Sequence, residues 1–227
     1  MSKRQSGYAL KRTQSANALG ADDARTRETH DAIIAAARDT LLDKGYAATR
    51  VEDIVVRAGI SRPTFYRHFK DKFEVAKAWH ALSRESALGP WGALATLDFR
   101  DRNAVRRWLD DVLDDHAARR DEIIVWAEMS SVEPDYLMRV PRQMPGLIER
   151  LGEAIPAFAR AREQAPPGGA GEAGPVWVEA YLLLEHLSYT CTWLTLGNHP
   201  ITRAQSLDYF ADRLARFIAR HDDAAAG

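Results

Sequence analysis

The sequence predicts an all-α chain with a small three-helix head, a connecting helix and a larger helical body. Three observations predict it. Apolar residues recur at helical spacing through most of the chain, most plainly in Leu207, Phe210, Ala211, Leu214, Phe217 and Ile218, which repeat at i, i+3, i+4 and i+7. The stretch 58–69 reads as the end of one short helix and the whole of a second, turned about Gly59. Charge is also divided. Residues 1–80 carry 15 Lys and Arg against 10 Asp and Glu, residues 81–227 carry 16 against 22, and all six lysines fall at or before Lys77. A +5 segment therefore precedes a −6 segment in a chain of net charge −1. A length of 227 residues suffices to bury a core in each of two domains.

The elements follow in order. Residues 1–25 are polar and basic with little to bury, so they are expected to be a disordered basic tail. The head occupies 26–70. Its first helix, 27–44, places Ile33, Ile34, Ala37 and Leu41 on one stripe before Gly45, a second helix follows at 51–58, and a third at 62–68. Gly59 suits a left-handed helix end, Ser61 supplies an N-cap oxygen, and Pro63 sits in the first turn, where a missing N–H is harmless. Residues 71–88 form the connector, capped by Asp71, with Phe73, Ala76, Trp79 and Leu82 inward.

The body occupies 89–221 and opens at Gly89-Pro90-Trp91-Gly92. A helix over 101–119 turns Val105, Trp108, Leu109, Val112 and Leu113 inward and Asp110, Asp111, Asp114 and Asp115 to solvent. Residues 121–131 form a short apolar helix through Ile123, Ile124, Trp126, Ala127 and Met129, and prolines break 133–163 into bent helical pieces. The helix at 175–196 is apolar almost all round, and Thr202 opens the last helix.

The third helix carries Arg62, Pro63, Thr64, Tyr66, Arg67 and His68 opposite Phe65 and Phe69. A short helix with cations and hydrogen-bonding groups opposite two buried aromatics is shaped to meet an anion, here read as double-stranded DNA. Arg62, at its leading end, can hold guanine O6 and N7 together, and Pro63 and Thr64 can touch a thymine methyl. Thr64, Tyr66 and His68 can donate to phosphates, and Lys72 stands at the start of the connector. Glu52 and Arg50, at the start of the second helix, are further candidates. Lys3, Arg4, Lys11, Arg12 and Arg25 could lie along the phosphates if the tail acts as an arm.

From Thr29 to Lys72 the sequence resembles the TetR/AcrR family of one-component transcriptional regulators. The resemblance rests on the apolar first helix, Gly45-Tyr46, Thr49, Val51, Asp53-Ile54, the 58–69 block and Lys72. It implies an all-α TetR-like fold and DNA contacts at the positions of Arg62, Pro63, Thr64, Tyr66, His68 and Lys72. It also implies a homodimer on a palindromic operator, most often a repressor, released by a small molecule. One position departs from the family. Where a capping Ser or Thr commonly precedes Val51, this chain has Arg50.

The last two helices show more apolar surface than one body needs, and the family pairs these helices across a dimer. Leu184, Leu207, Phe210 and Leu214 are the expected interface. Trp108, Trp126, Met129, Tyr181, Tyr189 and Trp193, with Glu185 and His186 as polar groups, are the expected lining of a pocket for a hydrophobic effector. The other reading is a constitutive DNA-binding or protein-interaction dimer with a solid body.

No Gly-x-Ser-x-Gly, His-Glu-x-x-His or dinucleotide fingerprint occurs, so no enzyme activity is expected. Cys191 is the single cysteine, which rules out an intrachain disulfide and reads as a small buried hydrophobe. The carboxylates near residue 110 lack His or Cys partners, so neither metal nor cofactor is expected. No apolar run approaches the ~20 residues that span a bilayer. The polar N-terminus lacks the apolar core of a secretory signal, giving an expected cytoplasmic location without membrane contact.

Overall fold

The computed structural model describes residues 4–86, 89–134, 136, 144–169, 171–197 and 200–222, and every regular element among them is helical. The chain divides into two compact units, Met1–Leu82 and Ser83–Gly227.

The first unit holds α1 (Arg4–Lys44), α2 (Val51–Ala58), α3 (Arg62–His68) and most of α4 (Lys72–Ser86). The segment 4–25, expected to be disordered, is instead the beginning of α1. Low hydrophobicity removes what a segment can bury, yet it leaves local preference intact. This stretch has no proline and is rich in Ala, Arg, Gln and Leu. Extending a nucleated helix also costs far less than starting one. The later turns carry an apolar stripe in which Ile33, Ala37 and Leu41 are fully buried.

α1 ends at Gly45, whose φ of 78° is left-handed. Arg50 offers α2 no side-chain acceptor. Thr49 does not supply one either, since its buried hydroxyl donates to the Gly45 carbonyl at 2.7 Å. Asp53 does the capping from inside the helix, accepting the Arg50 N–H at 2.9 Å. A hydrogen bond from Lys44 holds the Asp53 carboxyl below its ordinary range, and the Arg50 amide adds to the effect.

Asp71 caps α4 as expected, accepting from Glu74 N–H at 2.8 Å. Phe73, Ala76 and Trp79 are buried with Val75 and His80, but Leu82 is 55% exposed. The buried face of α4 runs through Phe73, Ala76, His80 and Ser83, and Leu82 falls at its edge.

The second unit holds α5 (Gly89–Gly92), a 3-10 turn (Ala93–Thr96), α6 (Arg102–Ala118), α7 (Arg120–Val132), α8 (Met144–Leu151), α9 (Pro156–Glu163), a 3-10 turn (Pro167–Gly169), α10 (Pro175–Leu196) and α11 (Arg203–Asp222). Its core joins Leu109 and Val112 of α6, Phe158 of α9, Leu184 and Leu187 of α10, and Phe210 and Phe217 of α11. Phe158 and Phe217 lie 5.0 Å apart between ring centroids.

The acidic face of α6 is paired with arginines. Arg203 of α11 reaches Asp110 and Asp114 at 2.6 and 2.7 Å, while Arg102 and Arg106 of α6 reach Asp208 at 3.2 and 3.1 Å. Arg102 also meets Asp212 at 2.6 Å. Each helix thus supplies cations at its own start and carboxylates further along.

In α7 the buried pair is Val125 and Met129, spaced i, i+4, whereas Ala127 is exposed and Trp126 half-buried. Leu137 and Met138, expected in the bent pieces, lie outside the described residues.

Candidate nucleic-acid interface and the body's expected sites

Gly59, at φ 65°, turns the chain between α2 and α3, and Ile60 N–H closes the turn on the Val55 carbonyl at 3.2 Å. Ser61 then caps α3, its Oγ accepting from Thr64 N–H at 3.2 Å. Phe65 and Phe69 are buried, with exposures of 0% and 6%. That fixes the roll of the helix and leaves Arg62, Pro63, Tyr66 and Arg67 exposed, with Thr64 and His68 half-buried. Two helices joined by this turn, the second showing a cationic, hydrogen-bonding face, form a helix-turn-helix.

Arg62 is held from two sides. Its Nη1 lies 2.7 Å from Glu52 Oε1 on α2, and its Nη2 donates to the Tyr66 hydroxyl at 3.4 Å. The guanidinium carbon lies 5.8 Å from the centre of the Tyr66 ring. The Tyr66 hydrogen bond, followed by the Glu52 charge, raises the pKa of the guanidinium above its ordinary value. Thr64 Oγ1 lies 2.8 Å from Ser61 Oγ, so its hydroxyl is part of the cap and its methyl is the freer group.

His68 differs from the sequence expectation of a simple phosphate donor. Its Nε2 is buried without a hydrogen-bond partner, and its ring lies 6.1 Å from that of His30, which stacks on Phe69 at 4.9 Å. Burial lowers the His68 pKa, with Arg67 and His30 adding to it. A neutral ring with one nitrogen enclosed has Nδ1 left to donate. Lys72 is also engaged, with Nζ donating to the Tyr46 carbonyl at 2.7 Å and lying 4.2 Å from the centre of the Tyr46 ring. Nothing in the residue types around Lys72 signals that contact, which spans 26 positions of sequence. Arg50 and Glu52 are both exposed at the start of α2.

In the body, the residues expected to line one pocket are not gathered into one site, although the Tyr189 and Trp193 rings meet edge to face at 5.7 Å. Trp108 is buried against Trp91, with ring centroids 5.3 Å apart, and Met129 is fully buried. Tyr181 stacks on Trp177 at 4.9 Å, while Trp126 and Trp193 are half-buried. Glu185, His186 and Tyr189 are exposed. The physical reason lies in the register of α10. Val178, Leu182, Glu185 and Tyr189 recur at i, i+4, i+7 and i+11, so they share the outward face of that helix. A cavity of about 10 Å³, room for one water, lies elsewhere, lined by residues including Leu109, Cys191, Ser206 and Phe210. The buried Ser206 hydroxyl in its wall has no hydrogen-bond partner.

The expected dimer residues are also placed differently. Leu184, Leu207, Phe210 and Leu214 are between 1% and 4% exposed and belong to the core of a single chain, because the apolar stripe of α11 is covered by α6, α9 and the inner face of α10. The apolar side chains left outside are Val178 (40%), Leu182 (60%) and Tyr189 (59%) on α10 and Tyr209 (47%) on α11. His186 bridges the two helices, its ring 5.9 Å from Tyr209 and 5.2 Å from Phe210.

Residues 33–78 match the sequence profile described as bacterial regulatory proteins, tetR family. The chain is 38% identical over 48 residues to the HTH-type transcriptional activator FasR of Mycolicibacterium smegmatis, which covers 21% of this chain and 22% of FasR. It is 32% identical over 132 residues to the HTH-type transcriptional regulator CymR of Pseudomonas putida, covering 56% and 64%. It thus spans less than two thirds of the length of either relative. A solved structure of a TetR-family transcriptional regulator from Pectobacterium atrosepticum is similar in fold, with a TM-score of 0.50 at 19% identity over 88% of this chain and 93% of that one. No helix among the described residues is long and apolar enough to cross a membrane.

Proposed function

We propose that the chain, whose residues 33–78 match the tetR family of bacterial regulatory proteins, is a DNA-binding transcriptional regulator acting as a homodimer on a palindromic operator. The observation that carries this reading is the exposed face of α3, with Arg62, Pro63, Tyr66 and Arg67 displayed by the burial of Phe65 and Phe69. α3 enters the major groove, Arg62 reads guanine, Pro63 and the Thr64 methyl touch a neighbouring thymine, and Tyr66, Arg67 and Lys72 set the register on phosphates. His68 contributes through Nδ1 alone.

A single head reads only a few base pairs, so useful affinity needs a second copy. The outward face of α10 and α11, with Val178, Leu182, Tyr189 and Tyr209 around His186, supplies the self-complementary surface that a two-fold dimer requires. Control comes from a hydrophobic small molecule that opens the core of the second unit. The end of α4 feels that opening, because Ser83 donates to Glu122 of α7 and Arg119 Nη1 donates to the Ser83 carbonyl at 3.2 Å. Release of DNA on binding makes the protein a repressor. The second reading is a constitutive dimer with a solid body.

Selection of bound sequences from a random duplex library, using the purified chain without added ligand, tests the first claim. An enriched palindrome supports it, and none at low salt from a folded dimer sinks it. Arg62→Ala should then flatten preference at one base position, by about ten- to a hundredfold. Thermal shift across a panel of apolar compounds separates the two readings, because a solid body gives no shift.

A further inference from the structure

We propose that Glu52 sets the base specificity of α3 without touching DNA, by holding and neutralising Arg62. The inference rests on the DNA-reading role of α3 and assigns a positioning residue to it.

Glu52 sits in the first turn of α2, half exposed, and Arg62 in the first turn of α3, with side-chain exposures of 51% and 58%. One carboxylate oxygen and one guanidinium nitrogen meet at 2.7 Å across the turn. The Tyr66 hydroxyl and ring approach the same guanidinium from the next turn of α3. A free arginine at a helix start samples many rotamers and loses that freedom when it forks onto a base. Here two partners from different helices restrict it beforehand. Arginine has five N–H donors, so these contacts leave enough for a bidentate pair with guanine.

The charge matters as much as the geometry. A carboxylate on a surface that approaches phosphates repels them and weakens binding to any sequence. Paired with Arg62, it removes most of the net charge that would otherwise draw this arginine to whichever phosphate is nearest. What remains is a directed donor fork with little attraction for the backbone. Glu52 therefore lowers non-specific affinity while preserving the response to the matching base, which is how discrimination rises. Water leaves when the groove closes over the pair, and the exposed contact strengthens there.

The alternative for Glu52 is direct readout, a carboxylate accepting from cytosine N4. The two roles predict different patterns. Bound-sequence selections and titrations on specific and random duplexes would be run on the full chain and on Glu52→Gln, Glu52→Ala, Arg62→Ala and Glu52→Gln/Arg62→Ala. Positioning predicts that both Glu52 variants lower preference at the position that Arg62→Ala erases, by about 3- to 10-fold. It also predicts that affinity for random duplex rises and that the double variant matches Arg62→Ala alone in base preference. Lost preference at a different position, additive losses of preference in the double variant, or unchanged preference would each overturn the proposal. Melting temperatures close to that of the parent exclude unfolding as the cause. A parent chain that enriches no sequence overturns the DNA-reading role itself, an outcome visible before any variant is compared.

Discussion

Lys72 shows how one side chain serves two ends. Its ammonium lies on the carbonyl and the ring of Tyr46, so it fastens the turn after α1 to the start of α4 while remaining half-buried at the head's surface. Lys72→Met keeps much of the packing and removes the charge. The expected result is a salt dependence of DNA binding shallower by about 1 in log–log slope, with base preference unchanged. Ser61 is a simpler case. Its Oγ is the N-cap of α3, so Ser61→Ala should cost about 1 kcal/mol in thermal or urea unfolding.

His116 carries a pH dependence. Burial, reinforced by the charge of Arg119, lowers its pKa to about 4, and its Nε2 lies 3.5 Å from Thr192 Oγ1. The unfolded chain takes up this proton near pH 6.5 and the folded chain does not, so stability is full above that pH and declines as pH falls towards 4. The loss is about 2–3 kcal/mol for this one site. Urea titrations between pH 4 and 7 should show the slope in the parent and a flatter one in His116→Gln. An unchanged slope would assign the effect to other groups.

At the scale of elements, α6 and α11 are tied by charges as well as by their core. Arg203 spans Asp110 and Asp114, and Arg102 spans Asp208 and Asp212. These pairs are largely exposed, so their value lies in fixing register more than in stability. Arg203→Ala should cost no more than about 1 kcal/mol, and less in high salt.

The last two helices, α10 and α11, mark where the sequence is legible and where it is not. The stripe through Leu207, Phe210 and Leu214 announced a buried face, and every one of those residues is buried. Periodicity reports that a face is covered, not what covers it, so a stripe buried by α6, α9 and α10 reads the same as a stripe awaiting a second copy. On α10 the difficulty was greater. A helix apolar all round has no contrast to show its inward side, and Glu185, His186 and Tyr189 were placed in a pocket when they face out. The head was more legible because glycine, serine and proline at 59, 61 and 63 have narrow backbone roles. The ties of Arg62 to Glu52 and of Lys72 to Tyr46 join residues on different elements, where local pattern is silent.

On the whole-molecule scale, the outward face of α10 and α11 yields a pair of contrasting variants. Leu182→Arg places a charge on the proposed dimer face and should give a folded monomer by sedimentation, with loss of palindrome binding. Leu184→Ala removes volume from the core and should cost about 2–5 kcal/mol while leaving the association state intact. Dimers persisting in Leu182→Arg would place the interface elsewhere.

Cys191 offers a way to time events inside the second unit. It is the chain's single cysteine, 1% exposed, its thiol is pushed up to about 12 by burial, and it lines the small cavity. A closed body should therefore react with a thiol-specific dye only during brief openings of its core. The labelling rate then counts how often that core breathes. A compound that wedges the core apart should quicken this clock, and one that fills and braces it should slow it, without any reporter group being attached beforehand.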